Sequence, residues 1–143
     1  MGSLSVEQAV RNAVESERAA ARFYRALAAL DVERRVRDFL EEMAAQEDAH
    51  ARSIEEAGKK MLGLPLPERA DMNVRSVEAA PEWLIADTIT IEQAFAIARD
   101  NEYKASLYYD TLADQCAEPH AEFFRSLAQT ELEHAKNLEG VKL

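Results

Sequence analysis

The chain has 143 residues, which is enough for one domain around one hydrophobic core. Apolar residues make up 48% of it, so the 31% of charged residues does not indicate a disordered chain. The net charge of −10 comes from 17 basic and 27 acidic residues with no basic stripe, and nucleic acid is therefore not an expected partner.

The composition predicts an all-α domain, because Gly and Pro number only four each and strong helix formers are abundant. Residues 5–8 have the Ser-x-x-Gln spacing of a capping box, so the first helix is predicted to begin there and to run to about Leu30. The second predicted helix runs from about Val32 to Met61, with Gly58 and Gly63 flanking its end.

The segment from about residue 62 to 89 is rich in Pro and turn-forming residues. It is too long for a tight turn between two helices and is predicted to be a crossover connection. Trp83, Leu84 and Ile85 are expected in a short helical piece that covers the bundle.

A second capping box, Thr90 to Gln93, predicts a third helix that extends to about Gln115. The fourth helix is predicted to start at Pro119, a residue favoured in the first helical turn, and to run nearly to the C-terminus. Two helical hairpins joined by one long connection predict a single-crossover four-helix bundle, with residues 1–143 as one domain. We expect an approximate twofold axis between the hairpins.

One spaced pattern occurs twice in the chain: a Glu, a Tyr seven residues later, and then a Glu-x-x-His. The members of the first copy are Glu17, Tyr24, Glu47 and His50, and those of the second copy are Glu102, Tyr109, Glu131 and His134. The separation between corresponding members is nearly constant, so register is kept over more than half of the protein. On four helices, this pattern brings four carboxylates and two imidazoles to one place.

Each of the four glutamates lies in the apolar seam of its helix, where a hydrophobic residue is expected. An unpaired buried carboxylate costs several kcal/mol, and four of them together would exceed what a domain stable by roughly 5–15 kcal/mol tolerates. The seams contain no Lys or Arg, whereas two divalent cations would balance the four charges. We therefore predict a site for two metal ions, with these ligands: Glu17, Glu47, His50, Glu102, Glu131 and His134.

Carboxylate and imidazole ligands suit iron or manganese, and zinc also remains open. Tyr24 and Tyr109 follow Glu17 and Glu102 by two helical turns and lie on nearly the same face. They are either core aromatics or hydrogen-bond donors that fix a ligand carboxylate.

Four further residues have side chains that could bind a metal or contact a ligand. Gln46 and Thr130 precede ligand glutamates and could contact a ligand. His120 is expected on the surface, and Cys116 is expected to be a small core residue. A single cysteine excludes an internal disulfide and a four-cysteine metal site within this chain.

The N-terminal segment becomes polar and acidic too soon to be a signal peptide. No apolar run approaches the roughly 18–20 residues of a membrane span. We expect a cytoplasmic protein without a membrane partner.

The chain resembles the ferritin-like superfamily, and most closely the rubrerythrin-type di-iron domain, over about residues 5–140. The two Glu-Tyr pairs and the segments 47–50 (Glu-Asp-Ala-His) and 131–134 (Glu-Leu-Glu-His) carry the resemblance. It implies a non-haem di-iron site in a four-helix bundle. The ligand roles that it implies are two bridging carboxylates, Glu47 and Glu131, two terminal carboxylates, Glu17 and Glu102, and one histidine for each iron, His50 and His134.

The chain departs from the family pattern at two points. Rubrerythrins have a further Glu three residues after the ligand of the third helix, where this chain has Ala105. They also commonly carry a four-cysteine rubredoxin module as electron donor, which one cysteine cannot form. Both departures weaken the expectation of the usual peroxidase.

The leading functional hypothesis is a di-iron oxidoreductase that reacts with hydrogen peroxide or dioxygen, as in oxidative-stress defence. It requires an external electron donor, or Fe(II) if the activity is that of a ferroxidase. The alternatives are an iron-binding or storage protein of the ferritin-like class and a structural bundle with a non-redox metal. A homodimer or a larger homo-oligomer is expected.

Overall fold

The computed structural model describes residues 5–30, 32–68 and 90–143, which form four α-helices. The helices are α1 (Val6–Ala28), α2 (Arg34–Leu62), α3 (Ile91–Asp114) and α4 (His120–Glu139). These ranges contain no strand. α1 packs along α2 and α3 packs along α4. The predicted all-α bundle of two helical hairpins is confirmed.

Side-chain caps fix where the helices begin. The Oγ of Ser5 accepts a hydrogen bond from the Gln8 amide at 3.1 Å. At Thr90 the capping box is complete: the Gln93 amide donates to Thr90 Oγ1 at 3.1 Å, and the Thr90 amide donates to Gln93 Oε1 at 2.8 Å. Both predicted starting points are therefore confirmed, and each cap satisfies an otherwise unpaired amide of the first turn.

The start of α4 differs by one residue from the prediction. Pro119 is the residue before the helix, and the first helical residue is His120. The carboxylate of Glu118 accepts a hydrogen bond from the Glu122 amide at 3.1 Å, so a preceding acidic side chain acts as the cap.

The prediction that Gly58 flanks the end of α2 is wrong. Gly58 is buried inside the helix, and a Cβ placed on it would lie 2.5 Å from Cγ1 of Val10. The helix ends at Leu62, where Gly63 has the left-handed conformation (φ 70°) that glycine adopts without strain. Gly58 thus permits close approach of α1 and α2, and Gly63 ends the helix.

The core consists of two apolar clusters with a polar layer between them. One cluster uses residues 20–28 of α1, 36–44 of α2 and 94–98 of α3. The other uses residues 9–14 of α1, residues 105–113 of α3 and neighbouring residues of α2 and α4. On every helix, the glutamate of the repeated pattern falls between the segments that build the two clusters. Apolar side chains therefore lie on both sides of the four carboxylates along the helices.

The beginning of the predicted crossover is tied to the first hairpin. Leu66 is buried, and Nε of Arg11 donates to the carbonyl oxygen of Pro67 at 2.6 Å. The same guanidinium pairs with Glu55 of α2 at 2.9 Å. The predicted helical piece at Trp83 to Ile85 lies outside the described residues. None of the described helices combines the length and the apolar character needed to cross a membrane.

Candidate metal centre

Four carboxylates lie in the polar layer, one from each helix. The side chains of Glu17, Glu47, Glu102 and Glu131 are fully buried. Most of the neighbours one turn away on each helix are buried apolar residues. Such burial is costly unless positive charge is supplied nearby.

The potential ligand atoms form two groups that share one carboxylate. The first group is Glu47, Glu102, Glu131 and His134, and the second is Glu17, His50 and Glu131. Within each group, the ligand atoms lie within 4.8 Å of one another. The six residues of the repeated pattern therefore meet at one place, and Glu131 lies between the two groups.

Glu131 belongs to both groups, as the resemblance implies for a bridging carboxylate, whereas Glu47 belongs to the first group alone. Glu102 accompanies His134 and Glu17 accompanies His50, so each group contains one histidine and one of the two implied terminal carboxylates.

His134 is surrounded by carboxylates. Its Nδ1 lies 2.6 Å from Glu47 Oε1, 3.7 Å from Glu102 Oε2 and 3.8 Å from Glu131 Oε2. Burial lowers the pKa of His134, but the hydrogen bonds and negative charges of Glu102 and Glu47 outweigh burial and raise this pKa to about 10. His134 therefore keeps its proton, because the carboxylates of the first group surround it with negative charge.

His50 has a different environment. Its Nδ1 lies 2.9 Å from Glu17 Oε1 and 3.5 Å from Glu131 Oε1, and 15% of its side chain is exposed. Burial is the largest influence and lowers the pKa of His50 to about 4; the charge of Glu47 opposes this shift, and that of His134 adds to it. A neutral imidazole with an available lone pair is the form that binds metals.

The donor set fits divalent metal ions. Within the described residues, Oε2 of Glu47 has no hydrogen-bond donor, and neither Glu47 nor Glu102 has a Lys or Arg partner. Buried polar atoms left without a partner are rare in native proteins and call for an explanation such as a bound ion. Oxygen and imidazole ligands together are those that iron and manganese accept.

Tyr24 connects α1 with the first group. Its hydroxyl donates a hydrogen bond to Glu102 Oε1 at 2.8 Å. Burial, followed by the charges of Glu102 and Glu47, raises the pKa of Tyr24 well above its usual value, so the hydroxyl keeps its proton and remains a donor. Tyr109 is buried in the second apolar cluster, beside Tyr108 at a distance of 5.7 Å between ring centroids.

The remaining candidates lie away from the ligand groups. Gln46 is exposed, and the hydroxyl of Thr130 donates to the carbonyl of Ser126 at 3.1 Å. His120 is partly exposed at the start of α4. Cys116 packs, partly buried, against the second apolar cluster.

Sequence reasoning missed one ion pair beside the site. Arg25 and Asp48 form a hydrogen-bonded salt bridge between α1 and α2. They directly follow Tyr24 and Glu47, so the pair joins the two helices at the level of the ligands. The sequence contained a signal for this ion pair, because Arg25 and Asp48 have opposite charges and directly follow motif residues on two helices that were predicted to pack together.

A bundle in which two helices each provide a Glu and the other two each provide a Glu-x-x-His defines the class of ferritin-like carboxylate metalloproteins, an arrangement already known for that class. The rubrerythrin family model matches residues 8–142. The chain therefore belongs to the rubrerythrin family, as the sequence resemblance had indicated. Searches of curated proteins and of solved structures gave no significant match.

Proposed function

We propose that the protein is a non-haem di-iron oxidoreductase that reduces hydrogen peroxide or dioxygen. The observation that carries this proposal is the position of Glu131 in both ligand groups, because a carboxylate shared between two sets of ligands favours a pair of metal ions over a single ion. Membership of the rubrerythrin family supports iron as the metal.

The residues of the chain would hold the metals, balance their charge and exclude water. His134 would exchange its proton for a metal ion, because a divalent cation among the same carboxylates carries twice the charge. Tyr24 would hold Glu102 in one orientation through its hydrogen bond. When bound, two iron ions would supply the paired one-electron redox changes that peroxide reduction requires.

The proposed partners follow from this chemistry. An external electron donor, or Fe(II) itself in a ferroxidase, returns electrons to the centre, because one cysteine cannot form a rubredoxin module in this chain. We place the protein in the cytoplasm and propose that it forms a homodimer or a larger homo-oligomer.

The first test is metal loading followed by oxidation. Protein loaded anaerobically with Fe(II) is expected to contain two irons per chain by mass spectrometry. Hydrogen peroxide or dioxygen should then produce ferric absorbance bands rapidly. Glu131→Ala is expected to abolish both results, because it removes the shared ligand. Glu133→Ala, which removes an exposed carboxylate two residues away, should change neither.

Other outcomes would favour the alternative functions. Ferric product that accumulates as a mineral inside a large shell, seen by light scattering, would favour iron storage, since a monomer or dimer cannot enclose a mineral core. Zinc in the purified protein, or iron that does not respond to either oxidant, would favour a structural bundle and contradict the redox proposal.

A further inference from the structure

A groove lies on the surface between α2 and α4 and has a volume of about 380 Å³. Its walls come from residues 39–46 of α2 and 136–141 of α4, and the polar side chains along these walls are exposed. Met43 also lines the groove, but only 2% of this residue is exposed. Met43 therefore forms the floor, at the point where the groove meets the core of the bundle.

The floor of the groove is close to two candidate ligands. Met43 precedes Glu47 by one turn of α2, and Asn137 follows His134 by one turn of α4. Because α2 and α4 run antiparallel, both steps point the same way along the bundle. Oε1 of Glu47 and Nδ1 of His134 are 2.6 Å apart and join the two helices. The groove therefore begins where this pair of ligands ends, and Met43 lies between them and the solvent.

Met43 is a barrier that can move. A methionine side chain is unbranched and has three rotatable bonds, so it adapts to the space around it more easily than other apolar side chains. Buried side chains change rotamers although the core is densely packed. A change of rotamer at Met43 can thus admit a molecule of a few atoms while the helices stay in place.

The walls of the groove suit a small neutral molecule that forms hydrogen bonds. Glu42 on α2 and Lys136 on α4 have opposite charges, so the groove has no excess of negative charge to attract a cation. Gln46 and Asn137 provide amide donors and acceptors. Hydrogen peroxide can use both kinds of group, whereas a cation would lose its water at the apolar floor formed by Met43, which is costly.

We propose that hydrogen peroxide reaches the metal centre through the groove between α2 and α4, with Met43 as the inner gate. The amides of the two walls bind the peroxide, and rotation of Met43 admits it beside Glu47 and His134. This inference rests on the proposed function, and it selects hydrogen peroxide from the two oxidants proposed there and gives its route.

The first test uses the metal-free protein, in which iron chemistry does not interfere. Hydrogen peroxide transfers one oxygen atom to the sulfur of a methionine, which becomes a sulfoxide, and water is released. Mass spectrometry follows this reaction at Met43 and at Met61, a partly exposed residue at the C-terminal end of α2. Although Met43 is buried, we expect it to be oxidised at a rate within about tenfold of that of Met61. Circular dichroism before the addition of peroxide checks that the protein is folded.

A matched pair of tryptophan variants tests whether the groove is the route. Asn137→Trp fills the groove with an aromatic ring, and it should slow the oxidation of Met43 at least about fivefold without changing that of Met61. Gln129→Trp replaces an exposed amide of α4 outside the groove and should alter neither rate. If Met43 of the folded protein stays reduced, or is oxidised equally fast in both variants, the proposal is overturned.

The iron-loaded protein provides an independent measurement. After mixing with hydrogen peroxide, ferric absorbance should form at least about fivefold more slowly in Asn137→Trp than in Gln129→Trp, with the same iron content in both. Equal rates would place the entry elsewhere, such as beside His50, whose side chain is 15% exposed, and would refute the route alone. If the iron of the unaltered protein does not respond to peroxide, the redox function is rejected, while protection of Met43 in Asn137→Trp still supports the groove as a passage for peroxide.

Discussion

Tyr24, a residue of the first hairpin, directly supports a carboxylate of the second hairpin. Its hydroxyl donates to Glu102 from the opposite hairpin and is completely enclosed by the bundle. Removing the donor leaves a buried carboxylate oxygen without a partner, which costs about 1.5–3 kcal/mol for a bond to a charged group. It also frees Glu102 to rotate away from the metal.

We predict that Tyr24→Phe weakens the binding of Mn(II) about 10–100-fold, measured by calorimetry. Mn(II) accepts the same ligand types as Fe(II) and is not oxidised during the titration. The matched control is Tyr103→Phe, which removes a hydrogen bond from tyrosine to Glu139 on the surface between α3 and α4. The control should leave the affinity for Mn(II) unchanged. If Tyr24→Phe binds Mn(II) as the unaltered protein does, the hydrogen bond has no role in positioning Glu102.

At the scale of the helices, Gly58 determines how closely α1 and α2 pack. The position is inside a helix, where alanine is intrinsically more favourable than glycine by about 1 kcal/mol. A Cβ at this position would nevertheless lie 2.5 Å from Cγ1 of Val10, a branched and fully buried side chain. Overpacking of this kind typically costs about 1–3 kcal/mol, so the steric cost exceeds the gain in helix propensity.

We predict that Gly58→Ala lowers the free energy of unfolding by about 1 kcal/mol, measured by urea denaturation. Gly140→Ala provides the control, because a Cβ there would meet its nearest neighbour at an ordinary 3.5 Å and the backbone φ is −75°. That control should be neutral or slightly stabilising. In the double variant Val10→Ala, Gly58→Ala, part of the loss should be recovered relative to the sum of the single changes. A gain in stability in Gly58→Ala would show that the helices can separate at little cost.

The helices were predictable because capping and periodicity are local. Ser5 and Thr90 mark the starts of α1 and α3 as predicted. The role of Gly58 was not predictable, since a glycine near a helix end has the same local signature as one that accommodates Val10 of another helix. The cap from Glu118 was not predicted either, because the start of α4 was placed at Pro119 from the preference of proline for the first helical turn.

The candidate site was predictable at the level of the whole molecule because its residues recur with a constant spacing across both hairpins. The meeting of the six side chains follows from that register and from the helical period. The difference between the two ligand groups was not predictable, because the two copies of the pattern are alike in sequence. Only the packed bundle shows that Glu47 belongs to one group alone and that His50 is the more exposed histidine.

The polar layer has a consequence for the stability of the whole protein. Without metal, four buried carboxylates oppose folding, and metal ions that bind only the folded bundle should stabilise it. A free metal concentration of 100 times the dissociation constant contributes about 2.7 kcal/mol per site, which corresponds to a rise in Tm of about 5–10 °C for a chain of this size. Calorimetric melting with Mn(II) and with excess chelator measures this difference.

The variant Glu131→Gln distinguishes stabilisation at this site from a general effect of cations on an acidic protein. We predict that its metal-free form melts at least as high as the metal-free unaltered protein, because one buried charge has been removed. Addition of Mn(II) should then raise its Tm much less than that of the unaltered chain, because the shared ligand is missing. An equal rise in both proteins would mean that Mn(II) acts on the exposed acidic surface and that the buried carboxylates are tolerated without it.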